Sequence, residues 1–323
     1  MVFSWFFYCR AMKTVVTVFG ATGQQGGSVV RALLERPDAF AVRAVTRNPT
    51  SPGSLALQAA GCQVVQADLA QGESLIPVLH GADCCFLNTL PADRSAADAA
   101  SVELQYGVNA ANACAVAGVG HLVFSSSPNC EEVTGAPVSW SDAKARIADY
   151  IRQKGLPVTT INLPEYYENY LTDIKPRKVK DGVYNFDTPT GDEAWGMIHI
   201  KFLGEAVRHI IGHRDEYLNR DITLVTDRLS LDQIADIMNK HLKPFGKTIG
   251  NAKLSLDEAR EKYKDVPGNE AVMNWYQFLQ AGPADPQYEE YKDTDLGRRL
   301  MPSAKTFDEW VEENKEFLAA DLQ

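Results

Sequence analysis

A run of three glycines near the N-terminus constrains the fold of this 323-residue chain more than any other feature. A β-branched stretch at residues 15–19 leads into Gly20-x-x-Gly23-x-x-Gly26, and apolar residues with helical spacing follow. In such a strand–turn–helix unit the first glycine permits a tight turn, the second lets the backbone approach a pyrophosphate, and the third lets helix and strand pack closely. The helix N-terminus presents free N–H groups and a positive dipole end to the anion. The sequence therefore predicts a dinucleotide site here.

Strand-like and helix-like segments alternate through the first half of the chain. After the glycine turn, the pattern predicts strands at residues 40–46, 62–67, 84–87, 121–124 and 158–163, and helices at residues 54–60, 73–80, 95–117 and 141–154. This alternation favours a parallel sheet with right-handed crossovers. Ligands of such sheets bind beyond the carboxyl ends of the strands, so the loops that follow the strands are the places to look for a site.

The second half of the chain reads as a smaller lobe. Ser230, Ser255 and Thr306 each begin a capping-box pattern at the start of a helix. Residues 221–226 are predicted to form a strand that returns to the main sheet, and residues 195–202 an apolar strand. We therefore expect an α/β fold, a Rossmann-type doubly wound parallel sheet with a smaller α+β C-terminal lobe. The predicted domains are residues 12–164 and 165–323, and the chain is long enough for both.

Charge and cysteine usage narrow the function classes. A net charge of −10 argues against nucleic acid, whose phosphates require clustered Lys and Arg. The six cysteines and six histidines show no metal-ligand spacing, so no metal is expected, and buried free thiols in a cytoplasmic protein are the favoured interpretation. Residues 2–9 are apolar and aromatic but far fewer than the ~20 residues that span a bilayer, so no membrane association is expected. Two interpretations of this segment stay open, a start-site artefact with Met12 as the natural initiator or a docking patch.

Several motifs together resemble the NmrA-like proteins, atypical members of the short-chain dehydrogenase/reductase superfamily. They are the glycine turn, Thr46-Arg47-Asn48-Pro49, Leu163-Pro164-x-Tyr166-x-x-Asn169, Pro189-Thr190-Gly191-Asp192 and Thr306-Phe-Asp-Glu-Trp310. The resemblance implies NADP(H) binding, a Rossmann lobe and a C-terminal lobe that roofs the cleft. The family includes redox-sensing regulators that bind cofactor, and its relatives include reductases of secondary metabolism.

Residue types at the second strand indicate which dinucleotide binds. An NAD site places an acid there for the ribose 2′-hydroxyl. This chain has Arg47 and no acid nearby, and a guanidinium suits a 2′-phosphate; the alternative is a solvated surface arginine. The predicted NADP(H)-binding residues are Gly20, Thr22, Gly23, Gln24, Gln25, Gly26, Arg47, Asp68, Leu69, Asn88, Thr89, Leu90, Ser125, Lys144, Pro164 and Tyr166.

The expected catalytic pair is incomplete. Typical short-chain dehydrogenases use Tyr-x-x-x-Lys on one helix face, where the lysine lowers the tyrosine pKa. Here Lys144 is preceded at that spacing by Trp140, whose indole has no titratable proton to give. The resemblance implies that Lys144 holds the nicotinamide ribose, and in isoflavone-reductase-like relatives a lone lysine is thought to act as the acid/base. A surface lysine is the third interpretation.

The loop after the sixth strand supplies further candidates. Glu165 and Tyr166 join Lys144 as predicted catalytic residues, with Glu165 as a general acid, an amine-binding carboxylate or a solvent-facing side chain. The predicted substrate-contacting residues are Ser127, Trp140, Glu165, Tyr167 and His199, although a lone histidine in an apolar strand is more often a core residue. The aromatic-rich segment 274–279 is interpreted first as packing against the sheet lobe.

Two function classes follow from this reading. The first is an NADPH-dependent reductase of a small, largely apolar carbonyl, imine or enone compound, or a variant that uses bound cofactor for acid/base chemistry. The second is a non-catalytic NADP(H)-sensing redox regulator that acts through a protein partner. The expected partners are accordingly a small-molecule substrate or a regulatory protein, with no nucleic acid and no membrane, in a monomer or homodimer.

Overall fold

A computed structural model describes residues 12–91, 93, 96–172, 174–282 and 290–322. The two interpretations of residues 1–11 lie outside this part of the chain. The strands within it are β1 Thr14–Val18, β2 Phe40–Thr46, β3 Gln63–Gln66, β4 Cys84–Leu87, β5 His121–Ser126, β6 Val158–Asn162, β7 Glu165–Tyr166, β8 Arg177–Lys180, β9 Val183–Phe186, β10 Trp195–Ile198, β11 Asp221–Thr223, β12 Asp227–Leu229 and β13 Thr248–Asn251.

Helices connect these strands. They are α1 Gln24–Leu34, α2 Pro52–Ala59, α3 Gly72–Leu79, α4 Ala99–Ala117, α5 Cys130–Thr134, α6 Ser139–Gln153, α7 Leu203–Gly212, α8 Arg214–Tyr217, α9 Leu231–Leu242, α10 Leu256–Lys262, α11 Asn269–Ala281, α12 Asp295–Leu300 and α13 Phe307–Asp321. Short 3-10 helices occupy Tyr167–Leu171, Ile200–Phe202 and Lys243–Phe245.

Seven parallel strands form the main sheet, in the order β11-β6-β5-β4-β1-β2-β3. The order runs outward from β1 in both directions, so the carboxyl ends of β1 and β4 lie side by side at the switch point where such folds bind ligands. Val16 pairs with Val42 on one side of β1 and with Cys84 on the other. The predicted Rossmann-type fold is confirmed.

Two apolar layers fix the helices to this sheet. The α1 residues Val29 and Leu33 and the α7 residue Val207 are fully buried against one face. The second layer joins α3, α4 and α6 to the other face and includes Leu75, Cys114 and Ile147. Because both faces are covered, the strands carry continuous apolar runs rather than alternating ones.

The C-terminal half adds two three-stranded sheets, β12-β10-β7 and β13-β9-β8. All three predicted capping boxes are present at the starts of α9, α10 and α13. β11 lies beside β6 at the edge of the main sheet, so the chain returns to the first lobe after residue 164. The domain boundary itself stays a prediction.

Some elements differ from the sequence expectation. The apolar segment 195–202 is strand only to Ile198 and then turns into a 3-10 helix, because Phe202 N–H bonds back to the His199 carbonyl. The short strand β7 and the hairpin of β8 and β9 were not anticipated, since two to four residues are too few to show a period. No helix of the described residues has the length and apolar character needed to cross a membrane.

Candidate functional site

The glycine turn between β1 and α1 has the geometry that a pyrophosphate requires. Gly20 adopts φ +64°, and Gly23 N–H donates to the Gly20 carbonyl at 2.9 Å. A Cβ on Gly26 would stand 2.3 Å from the Gly20 oxygen, so only glycine fits there. Gly23 is the N-cap of α1 and has no side-chain cap, and Thr22 and Gln24 beside it are exposed. The first N–H groups of the helix are thus available to an anion.

Arg47 lies next to this turn, at the end of β2. Its side chain is exposed, and its guanidinium has no ion pair or hydrogen bond within the described residues. The loop that follows is ordered by Asn48, whose side chain accepts from Thr50 N–H at 3.1 Å, and by Ser51, which caps α2. A Cβ on Gly53 would stand 3.5 Å from Thr22 Cγ2, so the start of α2 adjoins the glycine turn. Arg47 therefore leaves an exposed cation beside the end of β2, close to the start of α2.

The residues that follow β3 and β4 lie at the same edge of the main sheet as the glycine turn. Asp68 and Leu69 are half-buried; Asp68 Oδ1 accepts from Ala70 N–H at 3.0 Å, and the Leu69 carbonyl accepts from Asn109 on α4 at 2.8 Å. After β4, Thr89 is fully buried, whereas Leu90 is 55% exposed. These loops lie at the strand ends where the adenine and ribose of a dinucleotide bind.

Lys144 on α6 reaches across to the end of β4. Its Nζ lies 2.7 Å from the Thr89 carbonyl and 3.2 Å from both Asn88 Oδ1 and Thr89 Oγ1. A fourth oxygen comes from Glu103 on α4, 2.8 Å away. The lysine side chain is 15% exposed and the glutamate side chain 3%. Glu103 was not anticipated from the sequence, because one acid in an alanine-rich helix gives no signal of its own.

Tyr166 connects the end of β7 to the glycine turn. Gln25, in the first turn of α1, donates from Nε2 to the Tyr166 oxygen at 2.8 Å. Gln25 Oε1 is buried with no hydrogen-bond partner in the described residues. Tyr166 and Ile198 are paired in register, which directs the tyrosine toward the first lobe. The structure thus brings two predicted cofactor residues into direct contact.

Buried Pro164 and the half-buried side chain of Glu165 open onto a narrow aromatic pocket. It encloses about 280 Å³ including its mouth, and its side chains nearly close it. Glu165 also accepts a hydrogen bond from Asn169. The remaining lining residues are Trp195, Gly196, Trp275, Phe278, Leu279 and Tyr291. The aromatic-rich segment of α11 therefore packs in the core and also lines a pocket.

Trp140 belongs to the same region. It is half-buried and packs on the small apolar cluster that contains Val138, Phe278 and Tyr291. The residue that replaces the expected tyrosine is thus part of the aromatic surroundings of the pocket. Nearby, Ser125 is buried near the carboxyl end of β5. Ser127 follows this strand, and its Oγ lies 2.8 Å from Ser141 Oγ on α6. Ser127 is engaged with the helix that carries Lys144.

Tyr167 does not line the cleft, contrary to the sequence expectation. It is fully buried, and its hydroxyl donates to Asp227 Oδ2 at 2.7 Å and lies 3.3 Å from Thr226 Oγ1. Phe307 and Trp310 pack on its ring. Consecutive residues of an extended segment point to opposite sides, so Tyr166 and Tyr167 cannot face the same space. The geometry gives Tyr167 a core role.

We expect Tyr167→Phe to lower stability without changing ligand binding. The variant keeps the ring packing and loses the bond to Asp227, which retains the Phe307 N–H as a donor. The expected loss is about 1–2 kcal/mol in the free energy of unfolding, measured by urea denaturation. If the variant instead keeps its stability and loses activity, Tyr167 takes part in the site.

His199 is held beside Glu168 between the two lobes. Its side chain is 8% exposed, and Nε2 lies 3.3 Å from Glu168 Oε1. Burial lowers the pKa of His199 to about 4 and raises the pKa of the Glu168 carboxyl. At neutral pH the imidazole is therefore neutral, and its contact with the Glu168 carboxyl is not an ion pair. His199 Nδ1 is buried with no hydrogen-bond partner in the described residues. Phe202 and Tyr167 pack on the ring, which makes His199 a core residue.

Stability should consequently fall on mild acidification. The unfolded chain takes up a proton at His199 near pH 6.5, while the folded chain resists protonation down to about pH 4, so stability present above pH 6.5 is lost as the pH falls through this window. Glu168 opposes this partly, because its raised pKa favours protonation in the folded state. We expect His199→Gln to remove about 1–2 kcal/mol of the stability difference between pH 7 and pH 5 in urea unfolding. An unchanged pH slope would contradict this assignment; His121, whose pKa is also lowered by burial to about 4, provides the same slope in both proteins.

Comparisons with known proteins place the chain among its relatives. The sequence model of the NmrA-like family matches residues 12–311. The chain is 41% identical over 167 residues to the NmrA-like family domain-containing oxidoreductase FrzB of Cladobotryum sp., covering 50% of this chain and 49% of that protein, so the match spans about half the length of that relative. It is 30% identical over 250 residues to the oxidoreductase himF of Aspergillus japonicus, covering 72% and 73%.

A solved structure of NmrA, a negative transcriptional regulator in complex with NADP, has the same fold. The TM-score is 0.77 at 20% sequence identity, and the alignment covers 95% of this chain and 97% of that chain. The resemblance found in the motifs is confirmed by the family match across nearly the whole described chain and by the length of the match to himF. The chain belongs to the NmrA-like family.

Proposed function

We propose that this chain binds NADPH and reduces a small, largely apolar carbonyl, imine or enone compound. The observation that carries the proposal is the glycine turn, where the missing Cβ of Gly26 leaves the backbone of β1 and α1 close together and the uncapped helix start open to an anion. Relatives named as oxidoreductases and a fold neighbour crystallised with NADP support the same reading.

Arg47 is proposed to select NADPH over NADH. A guanidinium can make two charge-assisted hydrogen bonds to a 2′-phosphate, worth about 1.5–3 kcal/mol or roughly ten- to a hundredfold in affinity. We expect the wild-type protein to bind NADPH tighter than NADH by that factor, and Arg47→Ala to remove the difference. Fluorescence titration with both cofactors measures it. Arg36→Ala, which removes a 59%-exposed arginine paired with Asp38, is the matched control. Equal wild-type affinities would contradict the NADPH assignment.

The residues around the switch point would hold the cofactor in place. The Lys144 ammonium and the Asn88 amide stand at the end of β4, where they can donate to the hydroxyls of a nicotinamide ribose. Pro164 and Tyr166 would flank the ring from the β6 side. When bound, NADPH supplies a hydride; the protein must then place an unsaturated carbon beside the ring and deliver a proton to the other end of the bond.

Tyr166 is the proposed proton donor. The hydrogen bond from Gln25 to its oxygen favours the phenolate that forms as the proton leaves. Lys144 is less suited to the task, since giving up its proton would leave the Glu103 carboxylate buried without its cation. The proposal thus moves the acid from the missing tyrosine at position 140 to the loop that follows β6.

The aromatic pocket beside Glu165 is proposed to receive the substrate. Trp195, Trp275 and Phe278 give it apolar walls, and the Glu165 carboxylate in its lining can orient a substrate that carries a polar or basic nitrogen. The side chains nearly close the pocket, so a substrate must displace some of them. Monitoring NADPH oxidation against a panel of carbonyl, imine and enone compounds tests the function, and no turnover on any class would count against it.

A non-catalytic NADP(H)-sensing regulator is the second candidate. Trp140 favours it, because the expected proton-transfer tyrosine is replaced by an indole that packs in an aromatic cluster. The candidates differ in whether cofactor is consumed. Cofactor binding that changes capture of a protein partner, with no NADPH oxidation by the wild-type protein or by Trp140→Tyr, would favour the regulator.

A further inference from the structure

Glu103 is the most deeply buried carboxylate near the proposed site. It lies in the second turn of α4, and its side chain is 3% exposed. Oε1 lies 2.8 Å from Lys144 Nζ and accepts a hydrogen bond from Thr89 Oγ1, also at 2.8 Å. The fully buried Thr89 in turn lies 3.2 Å from Lys144 through the same hydroxyl oxygen. Three elements, α4, the end of β4 and α6, thus meet in one polar cluster.

Burying a cluster of charged and polar groups has a large desolvation free energy. Removing a carboxylate and an ammonium from water costs several kcal/mol per ion, and their attraction offsets that cost only with good geometry and further hydrogen bonds. An alanine or leucine at position 103 would join α4 to α6 at lower cost, as Gly107 does one turn later by packing directly on Ile147. The charge at Glu103 therefore needs a reason other than packing of α4.

We propose that Glu103 is a positioning residue that holds the Lys144 ammonium at the carboxyl end of β4 and keeps it charged, so that it acts on bound NADPH through Lys144. This inference rests on the proposed function, in which Lys144 contacts the nicotinamide ribose. Glu103 itself touches neither cofactor nor substrate. Its carboxylate fixes the orientation of the Lys144 side chain, as hydrogen-bonded neighbours do for other site residues.

A purely structural clamp would behave differently. If Glu103 only joined α4 to α6, its neutral isostere would change stability and leave the chemistry of Lys144 alone. If Glu103 holds Lys144 charged, the isostere frees a more reactive amine, since only the unprotonated form attacks an electrophile and a nearby carboxylate favours the protonated form.

Reductive methylation of the protein without cofactor separates these outcomes. Formaldehyde and a borohydride are added to wild type and to Glu103→Gln, and methylation at each lysine is followed by mass spectrometry. We expect Lys144 to be modified at least about fivefold faster in the variant, because it loses its carboxylate partner. Lys154, exposed at the end of the same helix, is the internal control and should be unchanged. An unchanged rate at Lys144 would overturn the proposal.

NADPH affinity then tests the link to the cofactor. Glu103→Gln and Lys144→Met should each raise the dissociation constant about tenfold, and the double variant should bind no more weakly than Lys144→Met alone. If the double variant instead has a dissociation constant raised by the product of the two single effects, Glu103 does not act through Lys144. Glu131→Gln, which breaks the exposed pair with Arg146, is the matched control.

Two further comparisons cover a variant that fails to fold and a wild-type protein that fails to bind NADPH. If Glu103→Gln fails to fold, Glu103→Asp retains the charge but shortens the side chain, and Lys144 should then be methylated at an intermediate rate; a wild-type rate would contradict the proposal. If wild-type protein binds no NADPH, the proposed function fails, while the methylation experiment still decides whether Glu103 controls Lys144.

Discussion

Alanine at position 26 should greatly weaken NADPH binding and strongly destabilise the first lobe. Its Cβ would stand 2.3 Å from the Gly20 oxygen and 2.9 Å from the Phe19 oxygen, distances that no side-chain rotation can relieve because both atoms are backbone. The strand and helix must therefore move apart. We expect the free energy of unfolding to fall by about 3 kcal/mol or more, at the upper end for overpacking. Displacing the turn by about 1 Å should weaken NADPH binding roughly 100-fold.

The adjacent glycine provides a matched control. A Cβ on Gly27 meets its nearest neighbours at 3.4 Å, which is ordinary contact, and the residue lies inside α1. Gly27→Ala should therefore stabilise the protein by about 0.5–1 kcal/mol and leave binding intact. Thermal unfolding and cofactor titration measure both variants. Similar behaviour of the two would show that the close approach at Gly26 is unimportant.

The main sheet was predictable because its signals are local. β2 and β4 fall at the predicted residues, and the other predicted strands of the first lobe differ by a few residues at their ends. Buried parallel strands are continuous apolar runs between turn residues, so each can be recognised without its neighbours. The glycine turn adds a motif with fixed geometry.

The candidate site was less predictable because it depends on contacts between distant segments. The sequence could not choose between Tyr166 and Tyr167, since both follow β6 and only the pairing of Tyr166 with Ile198 decides which one faces the cleft. Glu103 lies 41 positions before Lys144 and resembles any solvated helix residue. His199 was predicted to contact substrate, with a core role as the alternative; its contact with Glu168 depends on the 3-10 helix after β10, which the sequence did not indicate.

Tyr166→Phe should separate proton transfer from cofactor binding. The variant keeps the ring that would flank the nicotinamide and removes the proposed acid, so turnover should fall by about 10²–10⁴-fold. The lost contact with Gln25 is worth roughly 1 kcal/mol, so the NADPH dissociation constant should rise less than tenfold. Tyr150→Phe, which removes an exposed hydroxyl bonded to Asn112, is the control and should change neither quantity.

Lys144→Met, unlike Tyr166→Phe, should weaken NADPH binding about as much as it lowers turnover. It removes a proposed ribose contact and leaves Glu103 buried without its cation, which typically costs about 3–5 kcal/mol of stability. NADPH binding and turnover should then fall together, and adding Glu103→Gln should restore stability without restoring either. Steady-state kinetics, cofactor titration and urea unfolding of the same preparations distinguish the cases. If Lys144→Met cuts turnover far more than binding while Tyr166→Phe remains active, the proton comes from the lysine and the assignment to Tyr166 is wrong.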